Sequence, residues 1–132
     1  MANQYKNAFM FLCNHLTESE CLQRQLVGTV QQNSIWPLNV EIGDDIYLFN
    51  FSTGLIQGPF LAVSGADCYE PTAWGGKFPI QVRVCKTPLT KKAYKQGANA
   101  PKILRKRRFS GDLGESASEI FSWLQECGTE LD

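Results

Sequence analysis

Apolar and polar residues alternate most clearly from Phe78 to Val84. Because successive side chains of a strand point to opposite faces of a sheet, this period of two predicts a strand with one buried face. The residues predicted to face the core are Phe78, Ile80, Val82 and Val84, and those predicted to face away are Gln81 and Arg83. Trp74 lies just upstream, in a loop where Gly75-Gly76 permits positive φ angles. Its indole is either a core side chain or the wall of a pocket, and the pattern leaves both open.

Other apolar stretches predict further strands. Residues 7 to 14, NAFMFLCN, are apolar and aromatic without Gly or Pro, which predicts a buried strand in the middle of a sheet. Residues 46 to 51 and 55 to 63 flank the turn sequence Ser52-Thr53-Gly54, so they predict a hairpin. The Gly58-Pro59 pair in the second arm predicts a bulge or bend, since proline donates no ladder hydrogen bond.

Two segments have the pattern of a helix that begins with a capping box. Thr17 and Glu20 fit the first box, which predicts a helix from about Glu18 to Val27 that ends near Gly28. Its residues predicted to face inward are Cys21, Leu22 and Leu26. Ser116 and Glu119 fit the second box, and Gly128 is placed to end that helix. The apolar stripe of the second helix comprises Ile120, Phe121, Leu124 and Cys127.

The remaining segments predict connections. Ile35 and Trp36 lie in a loop of residues 29 to 37 and predict that it folds back onto the body. Residues 88 to 101 predict a connection with at most one helical turn, and 102 to 109, KILRKRRF, predict an exposed or edge strand. Together these elements predict an α+β fold: a small, strongly curved, mixed β-barrel of about five to six strands, with a helix after the first strand and a C-terminal helix. A length of 132 residues predicts a single domain over residues 1–132.

Composition narrows the class of protein. No apolar run approaches the roughly 20 residues that span a bilayer, and the first residues lack the order of a signal peptide. We therefore expect a soluble cytoplasmic protein without a membrane partner, with the nucleus as the alternative compartment. The five cysteines are scattered and form no CxxC pair, which predicts reduced thiols. Cys13, His15 and Cys21 lack a fourth ligand at a usual spacing, so we expect neither a metal nor a cofactor.

Charge is strongly segregated along a chain whose formal net charge is zero. The segment from Lys77 to Arg108 contains 11 of the 13 basic residues and no Asp or Glu. Such segregation produces a local positive field, so a polyanion is the natural partner to consider. Arg105 to Arg108 form either a solvated edge or a phosphate-binding segment, and the acidic C-terminal helix is a candidate to neutralise them.

A resemblance to a known family extends in order over residues 8 to 84. The residues that carry it are Phe9 to Asn14, Thr17, Glu20-Cys21, Arg24, Leu26 to Gly28, Ile42 to Asp44, Leu48 to Asn50, Ser52-Thr53, Leu55, Gly58, Phe60, Ala62, Pro71 to Trp74 and Phe78 to Val84. In this order and spacing the chain resembles the DCD (development and cell death) domain. The resemblance implies the small β-barrel of the PUA-like superfamily, which also includes EVE domains and the YTH readers of N6-methyladenosine.

The likeness to YTH domains implies a pocket that stacks a modified base between Trp side chains. It places Trp74 on one wall, Val30 or the later Trp36 on the other, and Asn14 and His15 at the base edge. The whole candidate base pocket comprises Asn14, His15, Val30, Trp36, Asn50 and Trp74. The candidate phosphate-binding residues, which correspond to the phosphate-binding part of those readers, are Lys102, Arg105, Lys106, Arg107 and Arg108.

Two functions from different classes follow. The basic segment beside an aromatic loop predicts a nucleic-acid-binding module, with RNA favoured over DNA. The resemblance to the DCD domain implies instead a protein-interaction module in stress or cell-death signalling. No GxSxG sequence or Gly-rich phosphate loop is present, and turn chemistry accounts for Asp44-Asp45. We therefore expect a binding protein and no enzyme.

Overall fold

The computed structural model describes residues 7–30, 35–67, 69–97, 99–106 and 108–131. These residues form eight strands and two α-helices. In chain order they are β1 (Ala8–Cys13), α1 (Glu18–Arg24), β2 (Leu26–Thr29), β3 (Asp45–Asn50), β4 (Leu55–Ala62), β5 (Ile80–Cys85), β6 (Lys91–Tyr94), β7 (Gly111–Asp112), α2 (Ser116–Cys127) and β8 (Thr129–Glu130). Short 3-10 helices cover Trp36–Asn39, Ala73–Gly76 and Lys102–Arg105. No helix in these ranges is both long and apolar enough to cross a membrane.

The strands join in one mixed, curled sheet. Its order is β2-β5-β4-β3-β1-β7, with β6 also paired to β4 and β8 paired to β6. β1 and β3 run parallel, and the other strand pairs are antiparallel. Six strands have four residues or more, and two have only two residues. The predicted α+β fold with a strongly curved mixed sheet is therefore confirmed, whereas the single domain over residues 1–132 stays a prediction.

The central strands β1 and β3 are buried on both faces. On the face of α1, Phe9 and Phe11 pack with Ile46 and Leu48, and on the face of α2, Met10 packs with Tyr47 and Phe49. Strands covered on both sides have nearly continuous apolar sequences rather than alternating ones. This explains why residues 7 to 14 are apolar throughout, and it confirms the prediction of a central buried strand. We call the two packed regions the α1-side core and the α2-side core.

The hairpin of β3 and β4 is also confirmed. Its register shifts between Ile46 and Leu48, opposite the Gly58-Pro59 pair, which confirms the predicted bulge. A Cβ on Gly58 would come within 2.5 Å of the Tyr47 ring, so glycine is required for this close approach. Trp36 of the predicted loop of residues 29 to 37 packs on the α1-side core as predicted, whereas Ile35 is exposed; residues 31–34 of this loop lie outside the described residues.

The first helix is shorter than predicted. It ends at Arg24, because Gln25 takes a left-handed conformation with φ of 57° and the next four residues pair with β5 as strand β2. Gly28 is therefore a strand residue and not a helix cap. Leu26 is buried in that strand and Cys21 is buried in α1 as predicted, but Leu22 is exposed, contrary to the prediction.

Neither predicted capping box forms. The hydroxyl of Thr17 accepts from the N–H of Asn14 at 3.0 Å, while a carboxylate oxygen of Glu20 accepts from the N–H of Trp74 at 2.8 Å. α2 begins at Ser116 itself, with Glu115 as its N-cap residue. The end of α2 at Gly128 is confirmed.

The second helix buries a different stripe from the predicted one. Ile120 and Leu124 are buried as predicted, but Cys127 is exposed and Trp123 takes an inward position. Trp123 is three residues after Ile120, so both lie on one face of a helix. The predicted stripe was therefore wrong in its last residue and missed an aromatic one.

The second half of the chain contains three further corrections. Val82 and Val84 of β5 are buried as predicted, but Gln81 is buried too, since its amide bonds the main chain of Glu70 and Phe78. The predicted connection of residues 88 to 101 contains strand β6, which pairs with β4. Residues 102 to 109 were wrongly predicted as a strand: they begin with a 3-10 helix that buries Leu104 in the α2-side core.

Candidate functional site

The parallel strands β1 and β3 end at the same edge of the sheet, and an asparagine stands at each end. The Asn14 side-chain oxygen accepts from the N–H of Thr17 at 3.0 Å. The Asn50 side-chain oxygen accepts from the N–H groups of Ser52 at 2.9 Å and Thr53 at 3.2 Å. Both asparagines therefore shape the turns that follow their strands, as short polar side chains commonly do.

His15 joins these two turns. Its ring Nδ1 lies 3.1 Å from the hydroxyl oxygen of Ser52, and its main-chain N–H donates to the same oxygen at 3.3 Å. The ring is exposed to solvent. Within the described ranges, no carboxylate bonds this ring, so the group that orients the histidine of a catalytic triad is not part of this contact.

Three cations lie over aromatic rings next to the same edge. The guanidinium carbon of Arg108 lies 4.3 Å from the centre of the Phe51 ring, directly after β3. The ammonium groups of Lys95 and Lys106 lie 5.1 Å and 5.5 Å from the rings of Phe49 and Phe109. Contacts at these distances are attractive and hold a cation over an aromatic face.

We define the basic face as Lys95, Lys102, Arg105, Lys106 and Arg108. Among the residues that the structure describes, no carboxylate oxygen lies within 4.0 Å of these five cationic groups. The acidic C-terminal segment pairs instead with Lys91, through Glu130 at 3.3 Å. The basic face is therefore not neutralised by ion pairs in the described part of the chain. Arg107 lies outside the described residues.

Two residues of the basic face line a cavity of about 530 Å³. Lys95 follows β6, and Arg105 ends the 3-10 helix of residues 102–105, yet both line this cavity. The main-chain N–H of Lys95 donates to Gly54 at 2.9 Å, which fixes the cavity beside the β3–β4 turn. Two cations converging on one concavity can bind an anion such as a phosphate.

Trp74 lies on the other side of the sheet, in the α1-side core. Its side chain is only 8% exposed, its ring packs edge-on against Phe78 at 5.1 Å between centroids, and its indole N–H donates to Thr17 at 3.4 Å. Its main-chain φ of 50° is unusual for a residue other than glycine, and its N–H is held by Glu20. Contacts with Phe78, Thr17 and Glu20 therefore hold the indole in a packed position.

The other two candidates for the base pocket have different neighbours. Trp36 packs on Phe9 and Phe11, with ring centroids 6.2 Å and 4.9 Å apart. Val30 is exposed directly after β2. The structure thus brings Asn14, His15 and Asn50 to one edge with Arg108, while Trp36 and Trp74 lie in the α1-side core. A cage that includes Trp74 stays a prediction.

The thiol of Cys13 is buried in the α1-side core. A hydrogen bond with Cys21 raises the pKa of Cys13, and burial raises it further, so this thiol stays protonated and unreactive. Within the described residues, no group of three His, Cys, Asp or Glu side chains is arranged to bind a metal ion.

The sequence pattern did not predict that Lys95, Phe51 and Ser52 lie near the edge of the sheet where β1 and β3 end. Lys95 belongs to the basic block, but it is ten positions before Arg105, and only the fold of residues 95 to 105 places both on one concavity. Phe51 was the last residue of a predicted strand and Ser52 the first of the predicted turn, so the strand end itself was the available signal.

Comparison with known proteins identifies relatives of this chain. The sequence model of one family, described as the Development and cell death domain, matches residues 7–120. A protein of Glycine max, DCD domain-containing protein NRP-A, is 37% identical over 90 residues, which are 62% of this chain and 24% of that protein. The B2 protein of Daucus carota is 36% identical over 90 residues, 62% of this chain and 44% of that protein. The chain therefore spans less than half the length of these curated relatives.

Proposed function

The chain belongs to the Development and cell death (DCD) domain family, and we propose that this member is a nucleic-acid-binding module that holds single-stranded RNA on its basic face. The observation that carries the proposal is that Lys95 and Arg105 line one concavity and that no carboxylate among the described residues pairs with them or with Arg108. Cations without a paired carboxylate repel one another, and bound phosphates relieve this repulsion. Binding also releases the counterions condensed on the nucleic acid, which favours the complex.

The edge also offers surfaces for an unstacked base. Arg108 presents a planar guanidinium held on Phe51, and single-stranded nucleic acids commonly stack bases on aromatic rings or guanidinium planes. The exposed ring of His15 is close by, since its partner Ser52 follows Phe51 directly. A 2′-hydroxyl both donates and accepts hydrogen bonds, and His15 supplies a matching group, which favours RNA over DNA.

Reception of a modified base beside Trp74 is the finer part of the proposal. Because Phe78 packs against the Trp74 indole and Trp74 is 8% exposed, a base can enter only if the Phe78 ring moves. Binding there would change the environment of the indole and therefore its fluorescence. A methylated oligonucleotide that binds more tightly than its unmodified counterpart and changes Trp74 fluorescence would support this site; equal affinity for both would contradict it.

The proposal describes a binding module and no enzyme. The only described contact that resembles a nucleophile and its base joins His15 to Ser52. The serine oxygen already accepts the main-chain N–H of His15, so this contact is accounted for by the packing of two turns. Incubation with ester and phosphodiester substrates is expected to give no Ser52-dependent turnover.

Fluorescence anisotropy with short labelled RNA and DNA tests nucleic-acid binding. We expect binding at about 50 mM salt that weakens steeply as salt rises. The variant Arg108→Glu should weaken binding to every sequence by roughly tenfold and reduce the salt dependence. Lys86→Glu makes the same charge change outside the basic face, at the end of β5 opposite to Phe78, and is the matched control, expected to have a much smaller effect. No binding of either oligonucleotide at low salt, or equal effects of the two variants, would contradict the proposal.

A protein-interaction module is the second candidate, and exposed apolar residues favour it. Ile35, Leu38 and Ile42 are 69%, 66% and 74% exposed, and all three lie between β2 and β3. The N–H of Leu38 donates to Ile35 at 3.0 Å, so these two lie in one turn. Isolated exposed apolar residues are common, but three in one short segment are typical of a contact surface.

Affinity purification with two variants distinguishes the candidates. A protein partner that survives nuclease treatment, is lost with Leu38→Ser and is retained with Arg108→Glu would support the interaction module. A partner that is lost on nuclease treatment and with Arg108→Glu would support nucleic-acid binding.

A further inference from the structure

Strand β4 changes its neighbour along its length, and this opens a gap in the sheet. Residues Leu55 to Gly58 pair with β6, whereas Leu61 and Ala62 pair with β5. Pro59 and Phe60 lie between these two paired segments, and neither residue pairs with β5 or β6. A cavity of about 320 Å³ lies at this place, and we call it the fork cavity.

The interior of the fork cavity is apolar. Val27 of β2, Leu48 of β3, Phe60 of β4 and Val84 of β5 line it, and Leu131 borders it near the end of the described chain. Cys21 and Cys85 belong to the same lining, and a free cysteine packs as a small apolar residue. Walls from α1 and four strands form a concave site typical of small-molecule binding.

Two lysines lie on the lining of this apolar cavity. Lys92 is opposite Gln57 in the β4–β6 register, so both side chains are on one face of the sheet, and both line the cavity with Lys86. Within the described residues, no carboxylate lies within 4.0 Å of the ammonium group of Lys86 or Lys92. Glu18 and Glu130 are nearby acids: the Glu18 carboxylate accepts from the Gln57 amide at 2.9 Å, and the Glu130 carboxylate pairs with Lys91 at 3.3 Å.

We propose that the fork cavity binds a small organic monoanion, a carboxylate with an apolar body of about ten non-hydrogen atoms. The apolar body lies against Leu22, Phe60 and Leu131, and the carboxylate is held by Lys92 and Lys86. An uncharged apolar molecule would gain nothing from the two cations, and a doubly charged one would have to bury a charge among apolar walls. A ligand with a single anionic group binds the lysines through that group and leaves only its apolar part among the apolar walls.

This site is independent of the proposed nucleic-acid function. The lining of the fork cavity shares no residue with the basic face. Loss of RNA binding with Arg108→Glu therefore says nothing about the fork cavity, and the two proposals stand or fall by different measurements.

Isothermal titration calorimetry with octanoate and 1-octanol tests the proposal. We expect octanoate to bind the wild-type protein in one-to-one stoichiometry and more tightly than octanol. The variant Lys92→Gln should weaken octanoate binding by about fivefold, as expected for a partly exposed charge pair, and leave octanol unchanged. Lys91→Gln is the matched control, since this neighbouring side chain pairs with Glu130. Failure of octanoate to bind, equal affinity for octanol, or the same loss with Lys91→Gln would overturn it.

A cavity-filling variant provides the second test. Leu22 of α1 is 39% exposed and lies on the lining, so Leu22→Trp should fill the cavity and abolish octanoate binding while circular dichroism shows a folded protein. Undiminished octanoate binding by the folded variant would locate the binding elsewhere and overturn the proposal. If Leu22→Trp does not fold, Lys92→Gln and its control decide the question.

Discussion

The six-membered ring of Trp74 lies directly over Gly28, where a Cβ on the glycine would come within 3.0 Å of indole Cζ3. The same Cβ would come within 2.9 Å of the Cβ of Phe78. Gly28 is thus the strand position that leaves room for both aromatic side chains. The sequence predicted Gly28 as a helix cap, but Gly28 is a residue of β2 whose lack of a side chain leaves space for the Trp74 ring.

Replacing Gly28 with alanine is expected to destabilise the protein. The added methyl group must displace Trp74 or Phe78 in a packed core, which typically costs about 1 to 3 kcal/mol. Urea unfolding measures the loss of free energy, and Trp fluorescence reports the displaced indole. Ser19→Ala, on the exposed side of α1, is the control with little expected change. An unchanged unfolding midpoint for Gly28→Ala would mean that Trp74 has room to move.

Glu20 fixes the main chain of Trp74 to α1. Its carboxylate accepts from the N–H of Trp74 at 2.8 Å and from Arg24 at 2.7 Å. Glu20→Ala leaves that N–H without its partner, and we expect a loss of about 1 to 3 kcal/mol in urea unfolding. Arg24→Ala removes only the partly exposed ion pair, so it should cost less than about 1 kcal/mol. Equal losses would assign the role of Glu20 to the ion pair alone.

Asn14 supports the turn that carries His15. Its side-chain oxygen accepts from the N–H groups of Leu16 and Thr17 at 2.8 Å and 3.0 Å. Asn14→Ala is expected to lose about 1 to 2 kcal/mol of stability, whereas Asn14→Asp keeps an acceptor and should recover most of it. Thermal unfolding of the two variants, at neutral pH and equal concentration, measures the difference. A similar loss in both would show that the amide group and not the oxygen is needed.

The strands could be predicted because their signals are local. The alternation around Val82 and the apolar run of β1 depend only on which faces are covered. The end of α1 could not be predicted, since Leu26 and Val27 fit both a helical stripe and a strand. Pairing of β2 with β5, more than 50 positions later in the chain, decides between them.

The candidate site was also predictable only where the signals were local in the sequence. Asn14 and Asn50 lie at or next to the ends of predicted strands and His15 follows one, so their shared edge could be anticipated once two strands were known to be parallel. Whether Trp74 was a core residue or a pocket wall depended on Gly28, which the sequence suggested was a cap. The positive charge of residues 102 to 108 was evident from composition, but their 3-10 turn was not, because it forms to bury Leu104.

Stability at alkaline pH should depend on Tyr47. Burial raises the pKa of its phenol, and the nearby Asp45 carboxylate raises it further, so the folded protein keeps this proton above the usual tyrosine pKa of about 10. Below that pH both states are protonated and the contribution of Tyr47 to stability is complete. Above it the unfolded chain releases the proton while the folded protein retains it, so stability falls as pH rises.

Tyr47→Phe removes this effect. We expect the difference in unfolding free energy between wild type and variant to be constant below about pH 9 and to shrink by about 1.4 kcal/mol per pH unit above about pH 10. Urea unfolding of both proteins at several pH values measures it. The raised pKa of Cys13 also weakens folding at high pH, but it is common to both proteins and cancels in the difference. Parallel pH curves for the two proteins would show that the Tyr47 phenol ionises as readily in the folded state as in the unfolded one.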